Sequence, residues 1–234
     1  MSLSDSQISL NKLLKLTDSL VDKIPKNSSE HEILLYAYFI SLHDLADDIN
    51  FLFKNKRYNG LPVLARSFLE TYVDFRLLSL DVRFANSLIL KAYKEHKNVI
   101  NSILDWNRVD EKDRVKLIQQ LNTLTECINE RIDFEESEFR VDSIKEKFKK
   151  LELLWLHRTT YNELCAFAHN RITIIEQKHI EKLKTNTVVL KHKVREEFRQ
   201  LELVMSLTVT YLRDTIKIIE QKTNLDCSDI LNSI

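Results

Sequence analysis

The chain has 234 residues, 35 basic and 35 acidic residues, and 44% hydrophobic residues. This balance is typical of a globular protein and excludes an overall charge that would attract nucleic acid or a membrane. Only one glycine and two prolines occur. Because dinucleotide-binding turns, phosphate-binding loops and nucleophile elbows need several glycines at fixed spacing, the composition excludes the enzymes built on them. It also predicts an all-α fold, because little in the chain interrupts helices.

Hydrophobic periodicity and helix signals predict a single all-α domain over residues 1–234, a bundle of seven or eight helices. Ser28-Ser29-Glu30 resembles a helix cap, and Gly60 and Pro62 are typical punctuation between two helices. Residues 185–190 form a loop or one short strand, since they are rich in β-branched side chains. The predicted helices cover residues 5–23, 30 to about 57, 61–80, 82–105, 109–134, 141–154, 156–180 and 194–222.

The last helix has the clearest apolar stripe, which predicts packing along the bundle or against a second copy of the chain. The stripe consists of Val194, Phe198, Leu201, Met205, Leu212, Ile216 and Ile219.

The three cysteines are far apart and form no CxxC pair, which fits a reducing compartment. The N-terminus lacks the pattern of a signal peptide, and the longest apolar run is too short to span a bilayer. We therefore expect a cytoplasmic protein without membrane or DNA contacts. No metal site or cofactor is predicted, because no zinc helix and no paired Glu-x-x-His motif occurs.

The helix over residues 61–80 places charged groups beside an apolar face. Arg66, Glu70 and Asp74 share one edge, whereas Arg76 projects into an apolar sector. We expect an ion pair between Arg66 and Glu70 and a largely buried Arg76 with an acidic or carbonyl partner. The alternative is that Arg66 and Glu70 form an ion pair at the surface and that Arg76 extends its charged end to water.

A second helix carries Tyr161 and Cys165 on its apolar stripe, with His169 at the edge and Arg171 on the other flank. A histidine at such a boundary is a candidate general base, and Tyr161 is a candidate hydrogen-bond donor. The alternative is a histidine that bonds to a neighbouring helix without catalysis.

Two lysine-rich segments, residues 145–150 and 178–195, are candidate contacts for RNA phosphates. Glutamates alternate with the lysines and no aromatic series accompanies them, so solvated helix faces are the alternative.

Two segments carry a family resemblance: ARSFLETYVDFR at residues 65–76 and YNELCAFAH at 161–169. Over roughly residues 30–180 the chain resembles a bacterial all-helical family called domain of unknown function 5677. The resemblance implies that Arg66, Glu70, Arg76, Tyr161 and His169 cluster.

A more distant similarity is to the HEPN superfamily of helical ribonucleases and toxins. Those enzymes carry an arginine and a histidine separated by four to six intervening residues on one helix, and they complete the site across a dimer. No arginine–histidine pair in this chain has that spacing.

Three functions remain open. The first is ligand or partner binding by a polar cluster in which Glu70, Arg76 and Arg171 contact the ligand, within a stress or phage-defence system. The second is a metal-independent ribonuclease that uses His169, Tyr161 and Arg66. The third is a structural dimerisation module. We expect a homodimer, with RNA or a partner protein as a further partner.

Overall fold

A computed structural model describes residues 2–24, 28–106, 109–134, 138–141, 143–169, 171, 174–175, 180–182, 188–190, 199–223 and 231; for 180–182, 188–190 and 199 it describes the backbone alone. The fold is all-α, as the composition predicts, with one short pair of strands. The helices are α1 (Leu3–Val21), α2 (Glu30–Lys54), α3 (Leu61–Leu80), α4 (Arg83–Leu104), α5 (Glu111–Ile132), α6 (Ile144–Lys150), α7 (Leu154–Leu156), α8 (Asn162–Ala168) and α9 (Arg199–Thr223).

Local chemistry explains where several helices begin. Ser2 caps α1 and Ser29 caps α2, and each forms a capping box with the acidic residue three positions later. A 3₁₀ turn, Tyr58–Gly60, joins α2 to α3. A Cβ atom on Gly60 would lie 2.9 Å from Leu52 Cδ1, so the glycine permits a close approach of α2 there.

Three predicted helices end three or more residues earlier than the sequence indicated. The helix predicted to reach residue 57 ends at Lys54, and Lys56 takes a left-handed φ of 55°. The helix predicted over 141–154 covers only Ile144–Lys150, and Glu152 takes a φ of 58°. An isolated residue in this conformation breaks the repeating helical backbone, which is why each helix stops.

The helix predicted over residues 156–180 is also shorter. A π-helical turn, His157–Tyr161, leads into α8, which ends at Ala168. The Arg171 N–H bonds to the Ala166 carbonyl, the six-residue closure typical of helix ends. Beyond it, residues 174–175 are helical, whereas 170, 172–173 and 176–179 lie outside the described residues.

Two strands, β1 (Ile180–Lys182) and β2 (Val188–Leu190), form an antiparallel pair that aligns Glu181 with Val189. For residues 185–190 the sequence left a loop or one short strand open; a strand is present at 188–190, and residues 185–187 lie outside the described residues.

Contacts divide the chain into two compact units: unit 1 comprises Met1–Arg76 and Phe148–Ile234, and unit 2 comprises Leu77–Lys147. The assignment of residues 1–234 to one domain stays a prediction. In unit 1, α9 packs against α1 and α2. The stripe residues Leu201, Met205, Leu212, Ile216 and Ile219 are all buried, and Val194 and Phe198 lie outside the described residues.

Unit 2 is built around the antiparallel pair α4 and α5. Phe84 and Phe139 meet edge to face at 5.0 Å, and the Arg83 guanidinium lies 3.9 Å from the Phe139 ring centre. The Val141 N–H donates to Ser87 Oγ at 3.1 Å.

Among the described helices, none combines the length and apolar character needed to cross a membrane.

Candidate functional site

Arg66 and Glu70 lie one turn apart on α3. Arg66 Nε donates to Glu70 Oε1 at 2.9 Å, so the predicted ion pair is confirmed. The side chains are 27% and 36% exposed, and the pair therefore lies at the surface of unit 1. The hydrogen bond to Glu70 raises the pKa of the Arg66 guanidinium, which is already cationic.

Tyr161 brings the second segment to the same carboxylate. Its hydroxyl donates to Glu70 Oε1 at 2.6 Å, although the two residues are 91 positions apart in sequence. The Arg66 Cζ atom lies 5.8 Å from the centre of the Tyr161 ring, within the range of a cation–π contact. Burial raises the pKa of the Tyr161 hydroxyl, and its hydrogen bonds with Glu70 and Cys165 raise that pKa further.

His169 completes the group at the C-terminal end of α8. Its Nε2 atom lies 3.1 Å from Arg66 Nη1, across 103 positions of sequence, and the histidine side chain is exposed. We call Arg66, Glu70, Tyr161, Cys165 and His169 the Arg66 cluster.

The π-helical turn orients Tyr161. The Asn162 N–H bonds to the His157 carbonyl, a five-residue step that widens the helix locally. The rings of His157 and Tyr161 then stack at 5.2 Å with an angle of 22°, and Phe148 packs against both. Sequence reasoning missed His157, although its four-residue spacing from Tyr161 was a signal for such a contact.

Arg76 does not join the Arg66 cluster. Its Nε atom lies 3.7 Å from Asp214 Oδ2 on α9, and its side chain is 31% exposed. An acidic partner is therefore present as expected, and the arginine side chain is partly buried. The guanidinium has a carboxylate partner that is itself 39% exposed, so it is not sealed in the core.

Asp214 also accepts a hydrogen bond from Tyr72 at 2.8 Å, and the Tyr72 and Tyr211 rings lie 4.3 Å apart. Burial is the main cause of the raised pKa of Tyr72, and the negative charge of Asp214 raises that pKa further. Sequence reasoning missed Asp214, because no local spacing connects α3 to a residue 142 positions away.

Arg171, a candidate ligand contact, is exposed, and its side chain forms no hydrogen bond or ion pair with the Arg66 cluster among the described residues. Asp74, on the same edge of α3 as Arg66, is a hydrogen-bond partner of Tyr38. Among the described residues, no three His, Cys, Asp or Glu side chains gather as a metal site requires.

The chain has no significant match among curated proteins or among solved structures. A family model does match, over residues 32–188, and this range contains every member of the Arg66 cluster. The match covers more than half of the chain and agrees closely with the range indicated by the two sequence segments. The chain therefore belongs to the family of unknown function DUF5677, domain of unknown function 5677.

Proposed function

We propose that the protein binds a ligand or partner molecule through the Arg66 cluster. One observation carries the proposal: side chains from two distant segments converge on Glu70, while His169 stays exposed at the outer end of the network. Fixing these groups costs side-chain entropy and removes polar atoms from water. Arranged polar groups beside an exposed histidine are typical of binding and catalytic sites.

Wild type and two variants of the 234-residue chain test this proposal. We would record melting temperatures of wild type, His169→Ala and His96→Ala against a panel of metabolites and nucleotides. His96 is an exposed histidine on α4, outside the Arg66 cluster, and serves as the control. We expect at least one compound to stabilise wild type and His96→Ala, and to stabilise His169→Ala much less. Equal stabilisation of all three proteins by every compound that binds would contradict the proposal.

The cellular setting that we propose is a stress or phage-defence system of the bacterial cytoplasm, in which the protein acts as a homodimer. This setting comes from the similarity to the HEPN superfamily. Phage challenge of cells that express wild type or His169→Ala tests the defence role, and equal survival would argue against it. Analytical ultracentrifugation tests the dimer, and a single monomer species at high micromolar concentration would argue against it.

A second candidate is a metal-independent ribonuclease. The short distance between Arg66 Nη1 and His169 Nε2 favours it, because such an enzyme needs a histidine for proton transfer and a nearby cation for the pentavalent phosphorane. Tyr161 would act through Glu70 to fix Arg66. In this reading, total RNA incubated with chelator is cleaved by wild type and by His96→Ala, but not by His169→Ala. Intact RNA in every sample rejects it.

A dimerisation module built on the 194–222 stripe has less support. The described stripe residues are buried, and α9 packs against α1 and α2 of the same chain. The proposed homodimer therefore needs a surface other than this stripe.

A further inference from the structure

The hydrogen bond between Arg66 and His169 fixes which atom of the histidine carries the proton. A guanidinium has N–H donors and no acceptor. Since Arg66 Nη1 lies 3.1 Å from His169 Nε2, the histidine accepts with Nε2. The imidazole in this arrangement is neutral and carries its proton on Nδ1.

The Nδ1–H group of His169 is thus the ring's remaining polar group. The side chain is exposed, and no described residue accepts a hydrogen bond from Nδ1. This nitrogen can donate to a ligand and has no lone pair with which to take a proton.

Arg66 offers further N–H donors beside the Nδ1–H group of His169. Nε is directed to Glu70 and one Nη1 donor to His169, and the other guanidinium N–H groups have no acceptor among the described residues. The side chain is 27% exposed, so part of it is accessible from solvent. Paired N–H donors of arginine match the geometry of carboxylate and phosphate oxygens.

The negative charge of Glu70 does not reverse the preference of these donors for carboxylate and phosphate oxygens. Its Oε1 atom accepts from both Arg66 and Tyr161, so the carboxylate is bound to donors of the cluster itself. Its charge holds the guanidinium in place, and it also offsets the charge of Arg66, which favours modest affinity.

We propose that the Arg66 cluster recognises an oxyanion, the carboxylate or phosphate group of its ligand, through the guanidinium of Arg66 and the Nδ1–H of His169. This inference rests on the proposed function and names the chemical class of the ligand. It assigns His169 as a hydrogen-bond donor in the resting site, whereas the ribonuclease candidate needs it to transfer protons.

Side-chain ¹⁵N NMR of the full-length chain tests the proton position and the ligand class together. We expect the His169 resonances of the free protein at neutral pH to show the proton on Nδ1. Addition of sodium phosphate or sodium acetate, with sodium chloride at matched ionic strength as reference, should shift the Nδ1 resonance saturably. A proton on Nε2, or shifts no larger than those with chloride, would overturn the inference.

Two arginine variants distinguish a specific oxyanion-binding site from nonspecific electrostatic attraction. Arg66→Gln removes the cluster's guanidinium, and Arg57→Gln removes one positive charge from an exposed position of unit 1. We expect oxyanion binding to weaken roughly tenfold or more in Arg66→Gln and to stay near the wild-type value in Arg57→Gln. His169→Ala, at an exposed position, repeats the test without disturbing Glu70, with Arg66 resonances as the readout. Equal weakening in both arginine variants would contradict the inference.

The two anions distinguish the source of the oxyanion. Tighter binding of phosphate identifies a phosphate-bearing ligand, and binding of acetate at least as tight identifies a carboxylate; either result supports the inference. If the metabolite panel yields a ligand that depends on His169 while neither anion binds, the oxyanion inference is wrong and the proposed function stands. If no compound of the panel shows binding that depends on His169 and neither anion binds, the proposed function and the oxyanion inference are both wrong.

Discussion

Glu70 joins the two segments of the Arg66 cluster through a single carboxylate oxygen. Oε1 accepts from Arg66 on the same helix and from Tyr161 at the start of α8. The first bond follows from local helix geometry, and the second exists because the π-helical turn directs Tyr161 towards α3. The Tyr161 hydroxyl is therefore the group that couples the two segments.

Tyr161→Phe should destabilise unit 1 by about 1–2 kcal/mol, because it removes a hydrogen bond to a charged carboxylate at a buried position. Urea unfolding measures the change. Tyr58→Phe is the matched control, since the Tyr58 hydroxyl has no partner among the described residues. Equal unfolding midpoints for the two variants would mean that the Tyr161 bond contributes nothing to stability.

Stability should fall at alkaline pH because Tyr38, Tyr72 and Tyr161 all have a pKa raised by burial and by neighbouring acidic groups. In the unfolded chain a tyrosine loses its proton near pH 10, about its ordinary value. Below that pH both states are protonated and the stability is complete. As pH rises towards the raised folded pKa, only the unfolded chain ionises, and each tyrosine removes up to about 1.4 kcal/mol per pH unit. The decline between pH 9.5 and 11 should be shallower in Tyr72→Phe than in Tyr58→Phe; equal slopes would contradict this.

The end of α6 depends on a residue in a costly backbone conformation. Glu152 is exposed and has a left-handed φ of 58°. Glycine adopts this φ without strain. Glu152→Gly should therefore raise the free energy of unfolding by about 0.5–1 kcal/mol, although the more flexible unfolded chain offsets part of the gain.

Thermal unfolding of Glu152→Gly would be compared with Glu202→Gly, which changes an exposed residue inside α9. The second variant should lose up to about 1 kcal/mol, because glycine is a poor helix former. Loss of stability in both variants would show that the left-handed conformation of Glu152 does not make glycine stabilising at this position.

The contact between α3 and α9 centres on Asp214, which is bonded to Tyr72 and paired with Arg76. Arg76→Leu should be better tolerated than Arg76→Ala, by roughly 1 kcal/mol. Leucine keeps the packing of the aliphatic stem, whereas alanine removes it together with the charge. Chemical denaturation of the two variants measures the difference, and unchanged stability in both would show that Arg76 contributes neither packing nor charge.

At the scale of the whole molecule, unit 1 is assembled from both ends of the chain, because α1 and α2 pack against α9. Met205 is fully buried on the stripe of α9, and the next residue, Ser206, is exposed. Met205→Asp should cost several kcal/mol, about 3–5, since it places an unpaired charge in this core. Ser206→Asp should stay within about 0.5 kcal/mol of wild type. Similar urea midpoints for both variants would contradict the packing.

The elements with strong local signals could be predicted closely. The bounds of α3 are those predicted from Gly60, Pro62 and the apolar pattern, and the cap expected at Ser28-Ser29-Glu30 is present, with Ser29 as the N-cap of α2. The ends of α2 and α6 could not be predicted, because Lys56 and Glu152 have no intrinsic preference for a positive φ. Gly60, the residue most suited to a positive φ, does not take one.

The sequence by itself determined an all-α fold, the bounds of α3 and the Arg66–Glu70 pair. Composition and spacing along one helix are local properties, and they decide such features. Only the tertiary structure decided that Tyr161 reaches Glu70, that His169 accepts from Arg66 and that Arg76 pairs with Asp214. These contacts join residues at least 91 positions apart, and they depend on how helices pack, which no local preference specifies.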